Sequence, residues 1–371
     1  MQDTHQRTSS RHFLRAIWLR TLPLCVRLWR AVKAPVEYIL LAVAVRRNAR
    51  PARPGTLILL CRYRFYVEES AEPSTEYIHL DRTLEQSGRG IALHFWEDTR
   101  RAAFKDADFF RKVSNANPAI LVLSSYSPDA HGFPSVSALA TVKQHLGVPL
   151  VALWWDTCSS TFAESVRPVV KLADLHVVMD NPLMKQLSPQ LFGDLHERFV
   201  CLWVPCEPDL YRLDRQRDIP VSFLGQVSSY RDYRSSALEA LERAQLGFFC
   251  SARDRLKQPS YSEYVEFLNR SKIGVNFSFS VDSHQLKARV FEILLSGALL
   301  LESENPQIAC LFEEGRDYVA FRDEGELVDK TRYYLAHENE RREIAERGRD
   351  KAARLYSGQA FWSRIFEKLA A

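Results

Sequence analysis

From residue 56 onward, the chain alternates short apolar runs with longer amphipathic stretches. The runs are apolar throughout, which is typical of strands that are covered on both faces of a sheet. The stretches between them space their apolar residues as helices do. Strands separated by helices predict parallel sheets, so the chain is predicted to be an α/β protein.

One polar segment, 205–219, interrupts this alternation; it contains two prolines and lacks apolar periodicity. Strands are predicted before it at 56–61, 90–96, 119–124, 149–154, 174–179 and 199–204, with helical stretches near 74–87, 100–114, 134–146 and 160–172. Strands are predicted after it at 221–225, 246–250, 273–277, 298–301 and 317–321, followed by helices at 324–336, 338–355 and 358–369.

This pattern predicts two doubly wound, Rossmann-like units, and their ligand is expected in the cleft between them, beyond the carboxyl ends of the strands. The predicted boundaries are a leader at 1–54, a first unit at 55–205, a linker at 206–219, a second unit at 220–355 and a C-terminal helix at 356–371.

The leader differs in charge from the rest of the chain. Residues 1–54 contain eleven Lys or Arg and two acids, a net charge of +9, whereas the remainder has 39 basic and 44 acidic residues. On a helical wheel its apolar and aromatic residues face one side and its arginines the other, with a kink expected at Pro23. Such a helix is typical of an anionic membrane surface, which we expect residues 1–50 to bind. The alternative is a helix packed on its own domain with solvated arginines.

Other targeting and partner classes fit less well. Arginines break the apolar runs of the leader, and no cleavage site follows a hydrophobic core, so a signal peptide is not predicted. The longest uncharged stretch there, Tyr38 to Val45, has eight residues, whereas a spanning helix needs roughly 20. The body carries no basic stripe interleaved with aromatics, so no nucleic-acid partner is predicted. The expected location is cytoplasmic, at the inner face of a membrane.

Neither cysteines nor acidic residues predict a metal site. Seven cysteines, an odd number without a CxxC pair, are expected to be buried free thiols in a reducing compartment. No Cys/His cluster has the spacing of zinc ligands. The DxD-like string Asp106-Ala107-Asp108 lies in a helical stretch among Lys and Arg and is interpreted as a solvated helix face.

A charged cluster surrounds the start of the helix predicted at 286–296. The N–H groups and dipole of a helix N-terminus attract an anion, and Lys287 and Arg289 would add charge-assisted bonds to a phosphate. Glu292, about one turn later, could accept hydrogen bonds from a ribose diol, and Gly297 ends the helix. The alternative is a surface Lys/Arg pair with a capping glutamate.

This stretch resembles the donor-domain signature of GT-B glycosyltransferases, specifically the CgeB-like family, also called glycosyl transferases group 1. The resemblance is detailed over about 220–369, includes the segment VSFLGQ from Val221 and the terminal helices from Tyr333, and does not cover residues 1–50. The matching positions are Arg289, Phe291, Glu292, Gly297, Pro306, Phe312, Gly315, Phe321, Asp323, Glu326 and Leu327.

The resemblance implies a GT-B fold, with an acceptor domain first, a nucleotide-sugar donor domain second and a last helix that returns to the first domain. It implies transfer of a sugar from a nucleotide-diphosphate donor, without a cofactor and, as in GT-B enzymes generally, without a metal. Glu292 would hold the donor ribose, and Gly225 would allow close backbone approach. The implied ligands of the diphosphate are Lys287, Arg289, Arg231 and Arg234.

The sequence departs from this family at one position. Many retaining relatives carry a Glu eight residues before the ribose-binding one, and here that position is His284. Three interpretations stay open: His284 faces the sugar, Asp282 faces it, or the loop is simply polar. The stereochemical outcome stays open with them.

The first unit offers candidates for the acceptor side, each directly after a predicted strand. Asp156 could act as general base for an acceptor hydroxyl, and Trp155 could stack on a sugar face. Tyr126 and Asp180 follow other strands and could contact the acceptor. The alternatives are an Asp that caps the next helix and a Trp in the core.

The sequence therefore favours a glycosyltransferase whose acceptor is a lipid-linked or surface-polysaccharide intermediate. Two other classes stay open. One is a nucleotide-sugar epimerase or phosphorylase-like enzyme on the same fold, since fold alone does not decide function. The other is a non-catalytic membrane-bound scaffold, which the absence of the second Glu supports.

Overall fold

A computed structural model describes residue 36 and residues 38–47, 58–64, 76–96, 105–124, 126, 133–158, 161–225, 227, 232–250, 259–278 and 284–370. These residues form two parallel sheets flanked by helices. Most of the predicted leader lies outside the described residues. Its last part forms helix α1, residues 38–47, whose Leu41 is 6% exposed and packs in the core of the first unit.

The first sheet has six parallel strands among the described residues, in the order β2-β1-β3-β4-β5-β6. The strands are β1 (Ile58–Arg64), β2 (Gly90–Trp96), β3 (Ile120–Ser124), β4 (Leu150–Trp154), β5 (Leu175–Val178) and β6 (Phe199–Cys201). All residues of β3, β4 and β5 are buried. The helices of this unit are α2 (Tyr77–Arg82 as π-helix, then Thr83–Gln86), α3 (Lys105–Ala116), α4 (Val136–Leu146), α5 (Phe162–Val166) and α6 (Met184–Phe192).

The second sheet has five parallel strands in its described part, in the order β11-β10-β9-β7-β8. They are β7 (Ile219–Phe223), β8 (Phe248–Cys250), β9 (Ser271–Asn276), β10 (Leu299–Ser303) and β11 (Val319–Phe321). The helices are α7 (Asp232–Arg243), α8 (Tyr261–Arg270), α9 (Ala288–Ser296), α10 (Glu324–Ala336), α11 (Glu338–Leu355) and α12 (Gly358–Ala370).

The strand order places a switch point in each sheet. The chain leaves β1 toward β2 on one side and later returns to β3 on the other, and it does the same from β7 toward β8 and β9. Loops that diverge from such a point leave a crevice at the carboxyl ends of the strands, which is where ligands bind in open α/β sheets. The residues after β7 and β9 are therefore at the expected ligand position of the second unit.

Three apolar clusters form the core of the described residues. One lies within the first unit and another within the second. The third runs through both units. It joins Val151 of β4, Phe291 of α9, Trp362 of α12 and Val204 of the connecting segment, which is the stretch 202–218 between β6 and β7. The units therefore share a continuous core on the sides that face each other.

The last helix crosses back to the first unit, as predicted. The indole N–H of Trp362 in α12 donates to the hydroxyl of Thr83 in α2 at 2.9 Å. The N–H of Gly358 donates to the carbonyl of Cys206 in the connecting segment at 2.8 Å. The connecting segment, α2 and α12 thus meet at one place.

Two predictions about the first unit are wrong. The helix expected at 160–172 is only Phe162–Val166, because Pro168 has no N–H to continue it, and turns follow. Asp106 is not part of a solvated face: it is 6% exposed, and its carboxylate accepts from the backbone N–H of Ser135 at 2.9 Å and from its hydroxyl at 2.5 Å. Only Asp108 of that string has the predicted contacts, with Arg111 and Lys112.

Candidate active site between the two sheets

Two arginines of the second unit lie over aromatic rings at the switch point. The guanidinium carbon of Arg234 in α7 is 5.4 Å from the ring centre of Phe223 and 5.7 Å from that of Phe277. The guanidinium of Arg289 in α9 lies 5.4 Å from the same Phe223 ring. Both rings stand where β7 and β9 end, so cation–π contacts hold both positive charges at the carboxyl edge of the sheet.

Hydrogen bonds orient both guanidinium groups. Nη2 of Arg234 donates to the carbonyl of Phe277 at 3.0 Å, and Nη1 of Arg289 donates to Oδ1 of Asn276 at 2.9 Å. A Cβ on Gly225, just after β7, would lie 2.6 Å from Nη2 of Arg289. Gly225 is therefore the residue that lets this arginine pass close to the backbone.

A fully buried carboxylate, that of Glu302, is linked to Arg289 through Asn276. Oε2 of Glu302, in β10, accepts from Nδ2 of Asn276 at 2.7 Å, so Glu302, Asn276 and Arg289 form a chain. Burial raises the pKa of Glu302 to about 7, although bonds from Ser278 and Asn276 and the charge of Arg289 oppose the rise. This titratable group lies within two hydrogen bonds of Arg289.

Glu292 occupies a different position, at the contact between the two units. It is 4% exposed; its Oε1 lies 3.1 Å from Nε2 of His79 in α2, and its Oε2 accepts from the hydroxyl of Tyr264 in α8 at 2.6 Å. Burial would raise the pKa of Glu292, but the bond and charge of His79, the bond from Tyr264 and the charge of Arg289 outweigh it and lower this pKa.

The segment before α9 reaches across to the first unit. Nε2 of Gln285 lies 2.6 Å from a carboxylate oxygen of Asp156 and 2.6 Å from one of Asp180. The ammonium of Lys287 donates to Oε1 of Gln285 and lies 4.0 Å from Asp156. The backbone N–H of Leu286 donates to the carbonyl of Asp180 at 2.7 Å. Lys287 and the two aspartates, all predicted site residues, therefore meet in one network.

The two aspartates differ in exposure. The side chain of Asp156 is 84% exposed, and its backbone is left-handed with a φ of 51°. Asp180 is buried and accepts from the N–H of Thr157 at 3.0 Å and from its hydroxyl at 2.7 Å. Burial raises the pKa of Asp180, while the bonds from Thr157 and Gln285 oppose the rise. Asp156 is thus available to a ligand, and Asp180 shapes the loop that carries it.

The remaining predicted residues lie at different distances from this network. The carbonyl of His284 accepts from the thiol of Cys158, next to the Gln285 network. Trp155 is half-buried and donates to the hydroxyl of Ser124 at 3.3 Å. Tyr126 is a core residue: it is 4% exposed, packs on Phe133 and donates to the carbonyl of Pro134.

Two predicted candidates, Arg231 and Asp282, lie outside the described residues. Within the described parts of the chain, no three His, Cys, Asp or Glu side chains gather in a way that could hold a metal ion. No helix of the described residues is long and apolar enough to cross a membrane.

Known proteins resemble the chain in its sequence and in its architecture. Residues 213–367 match the model of a family described as glycosyl transferase-like. Alr3699/HepE of Anabaena, solved with UDP and glucose, superposes with a TM-score of 0.61 at 12% identity, covering 85% of this chain and 99% of that one. Sucrose-phosphate synthase of Thermosynechococcus elongatus gives 0.58 at 9% identity, covering 84% and 98%. The fold is GT-B.

A further GT-B neighbour is a glycosyltransferase of Rickettsia africae, with a TM-score of 0.57 at 11% identity, covering 85% of this chain and 98% of that one. No protein matches in a search of the curated proteins. The predicted resemblance to GT-B glycosyltransferases is confirmed, and the narrower CgeB-like assignment stays a prediction.

Several polar residues of this GT-B cleft were not predicted. They are His79, Tyr264, Asn276, Gln285 and Glu302. A signal existed for Glu302, because it is a carboxylate at the end of the otherwise apolar run ALLLE. No sequence signal pointed to His79, because a single histidine on a helix of the first unit does not indicate a partner 213 residues away.

Proposed function

We propose that the protein is a glycosyltransferase that moves a sugar from a nucleotide-diphosphate sugar to an acceptor hydroxyl. The observation that carries the proposal is the pair Arg234 and Arg289, fixed over Phe223 and Phe277 at the switch point of the donor domain. The glycosyl transferase-like match over 213–367 covers this domain. The structures of Alr3699/HepE with UDP and with UDP-glucose support this donor class for the same fold.

The donor side supplies positive charge where the reaction creates negative charge. When the bond between the sugar and the diphosphate breaks, the leaving diphosphate gains charge, and prearranged donors there lower the barrier. Arg289, Arg234 and Lys287 are the proposed donors, with Gly225 providing room. In this proposal the side chains supply the stabilising charge, and no metal ion or cofactor takes part. Glu292 is the proposed ligand of the donor ribose.

The acceptor side supplies a base. The exposed carboxylate of Asp156 lies in the network that joins the two domains and is the proposed group that takes the proton from the acceptor hydroxyl. Asp180 and Thr157 hold its loop, Trp155 flanks it, and His284 begins the segment opposite.

We further propose that the acceptor is a lipid-linked or surface-polysaccharide intermediate at the cytoplasmic membrane face. The leader carries a net charge of +9. The described end of the leader, α1, exposes Tyr38, Ile39 and Val43 at 74%, 59% and 39%, close in sequence to the exposed Arg46 and Arg47. Apolar and basic side chains on one exposed helix suit an anionic leaflet. Cosedimentation with anionic vesicles that is equal with and without residues 1–50 would contradict this part.

The enzyme proposal is tested by assaying transfer from a panel of nucleotide sugars, with product analysis in the presence and absence of acceptors. We expect transfer that is lost in the Arg289→Ala/Glu292→Ala double variant. Conversion of the donor sugar without an acceptor would indicate an epimerase instead. A chain that binds no nucleoside diphosphate by calorimetry and transfers nothing would be a non-catalytic scaffold.

A further inference from the structure

The carboxylate proposed to hold the donor ribose is bound from two directions. Tyr264, in the donor domain itself, donates to Oε2 of Glu292 at 2.6 Å. His79 comes from the acceptor domain, and its Nε2 lies 3.1 Å from Oε1. His79 is 1% exposed. One partner is thus fixed within the domain of Glu292, whereas the other depends on how the two domains meet.

With Glu292 ionised, the surroundings of His79 place a proton on both ring nitrogens. Nδ1 lies 3.0 Å from the carbonyl oxygen of Pro205, which can only accept a hydrogen bond, and Nε2 faces the carboxylate of Glu292. Burial lowers the pKa of His79, but the hydrogen bond and charge of the ionised Glu292 act in the other direction, and the pKa of His79 is raised above its usual value. The low pKa of Glu292 also leaves the proton on His79.

Other polar groups around this pair belong to three parts of the chain. The thiol of Cys206 and the phenol of Tyr211 come from the connecting segment, the phenols of Tyr261 and Tyr264 from α8, and the guanidinium of Arg289 from α9. Burial raises the pKa values of the thiol and of all three phenols, which keeps them neutral. His79 is therefore the positive charge that the acceptor domain supplies to Glu292.

We propose that His79 is a positioning residue of the donor site: from the acceptor domain it holds the Glu292 carboxylate ionised and oriented for recognition of the donor ribose. This inference rests on the proposed function. A donor ribose that needs the oriented carboxylate should bind more weakly when the bond from His79 is lost.

The experiment compares His79→Gln with Tyr264→Phe and the wild type in donor kinetics and in calorimetry with UDP, GDP and ADP. Gln can donate to Glu292 but carries no charge, so donor KM and nucleotide Kd should rise about tenfold or more, while kcat at saturating donor changes little. The wild type should lose donor affinity as pH rises through the raised pKa of His79, and His79→Gln should lack this alkaline change.

Tyr264→Phe is the matched control, since it removes the other bond to Glu292 within one domain. It should raise KM and keep the alkaline change. The wild type alone provides a second measurement: nucleotide binding should slow amide hydrogen exchange in α2, and leave α3 unchanged. The inference is overturned if His79→Gln has the donor KM and pH profile of the wild type. It is also overturned if nucleotide binding leaves amide hydrogen exchange in α2 unchanged. Absence of any nucleotide binding in the wild type would instead refute the proposed function.

Discussion

The two walls of the cleft are built on the same kind of parallel sheet and carry opposite charge. The donor domain presents Arg234, Arg289 and Lys287 near the carboxyl edge of its sheet, whereas the acceptor domain presents Asp156 and Asp180. The family match covers 213–367 and thus only the basic wall. Both sheets provide the same kind of edge. Under the proposed function, the side chains placed there make one wall a binding site for an anion and give the other wall a group that takes a proton.

The largest expected effect comes from removing charge on the basic wall. Arg289→Ala should lower transfer by about 10²- to 10³-fold, because it removes a prearranged donor from the leaving diphosphate. Steady-state kinetics with varied donor measures this. Arg316→Ala is the control, since Arg316 lies in the same domain in an exposed pair with Glu313 and should leave activity unchanged. Equal activity of the two variants would refute the assigned wall.

The acidic wall is tested by Asp156→Asn. The amide cannot take a proton, so kcat should fall by about 10²-fold or more. Asn also tolerates the left-handed backbone found here, so stability should be nearly unchanged. Rates under saturating donor and acceptor provide the measurement.

Asp180→Asn is the matched variant for that comparison. Asp180 accepts two bonds from Thr157 and is buried, so its replacement should lower the melting temperature. If Asp180→Asn abolishes kcat without loss of stability while Asp156→Asn is active, the two roles are exchanged.

Two buried groups, one in each domain, should contribute to the acid response of stability with opposite signs. Burial lowers the pKa of His176, on β5, from 6.5 to about 4, so acidification from 6.5 toward 4 protonates the unfolded state first and destabilises the acceptor domain. Burial raises the pKa of Glu302 from 4.5 to about 7, so the folded state binds the proton first and the donor domain gains stability from 7 toward 4.5.

Each of these contributions is on the order of 3 kcal/mol at most. Amide exchange measured at pH 7 and pH 5 reports on the acceptor domain through β5 and on the donor domain through β9. His176→Gln should remove the contribution by which acid lowers the protection of β5 amides. Glu302→Gln should remove the contribution by which acid raises the protection of β9 amides. The prediction would be contradicted if either substitution left the pH dependence of exchange in its strand as in the wild type.

The smallest effect concerns space on the basic wall. In Gly225→Ala the new Cβ would meet Nη2 of Arg289 at 2.6 Å and displace it, so donor KM should rise by about tenfold with kcat less affected. Gly325→Ala is the control; its Cβ would meet only Oδ1 of Asp323, at 3.3 Å. A donor KM that is unchanged in Gly225→Ala would show that Arg289 does not need its present position.

Periodicity predicted most of the strands because both faces of each parallel sheet are covered, and such strands must be apolar throughout. It was less successful where a single residue decides the end of a helix or the burial of a side chain. Pro168 ends α5, and Asp106 is buried against Ser135, which is 29 residues away. Helical spacing is a property of a window of residues, whereas the end of a helix and the partner of a carboxylate depend on particular contacts.

By itself, the sequence determined that the chain forms two α/β units with a charged cluster at the start of α9, because apolar spacing and local charge can be read from neighbouring residues. Only the tertiary structure decided that His79 reaches Glu292, that Gln285 joins Asp156 to Asp180, and that Glu302 stands behind Arg289. These partners are separated by up to 213 residues. Their proximity follows from the packing of the two sheets around a shared core, which no local pattern encodes.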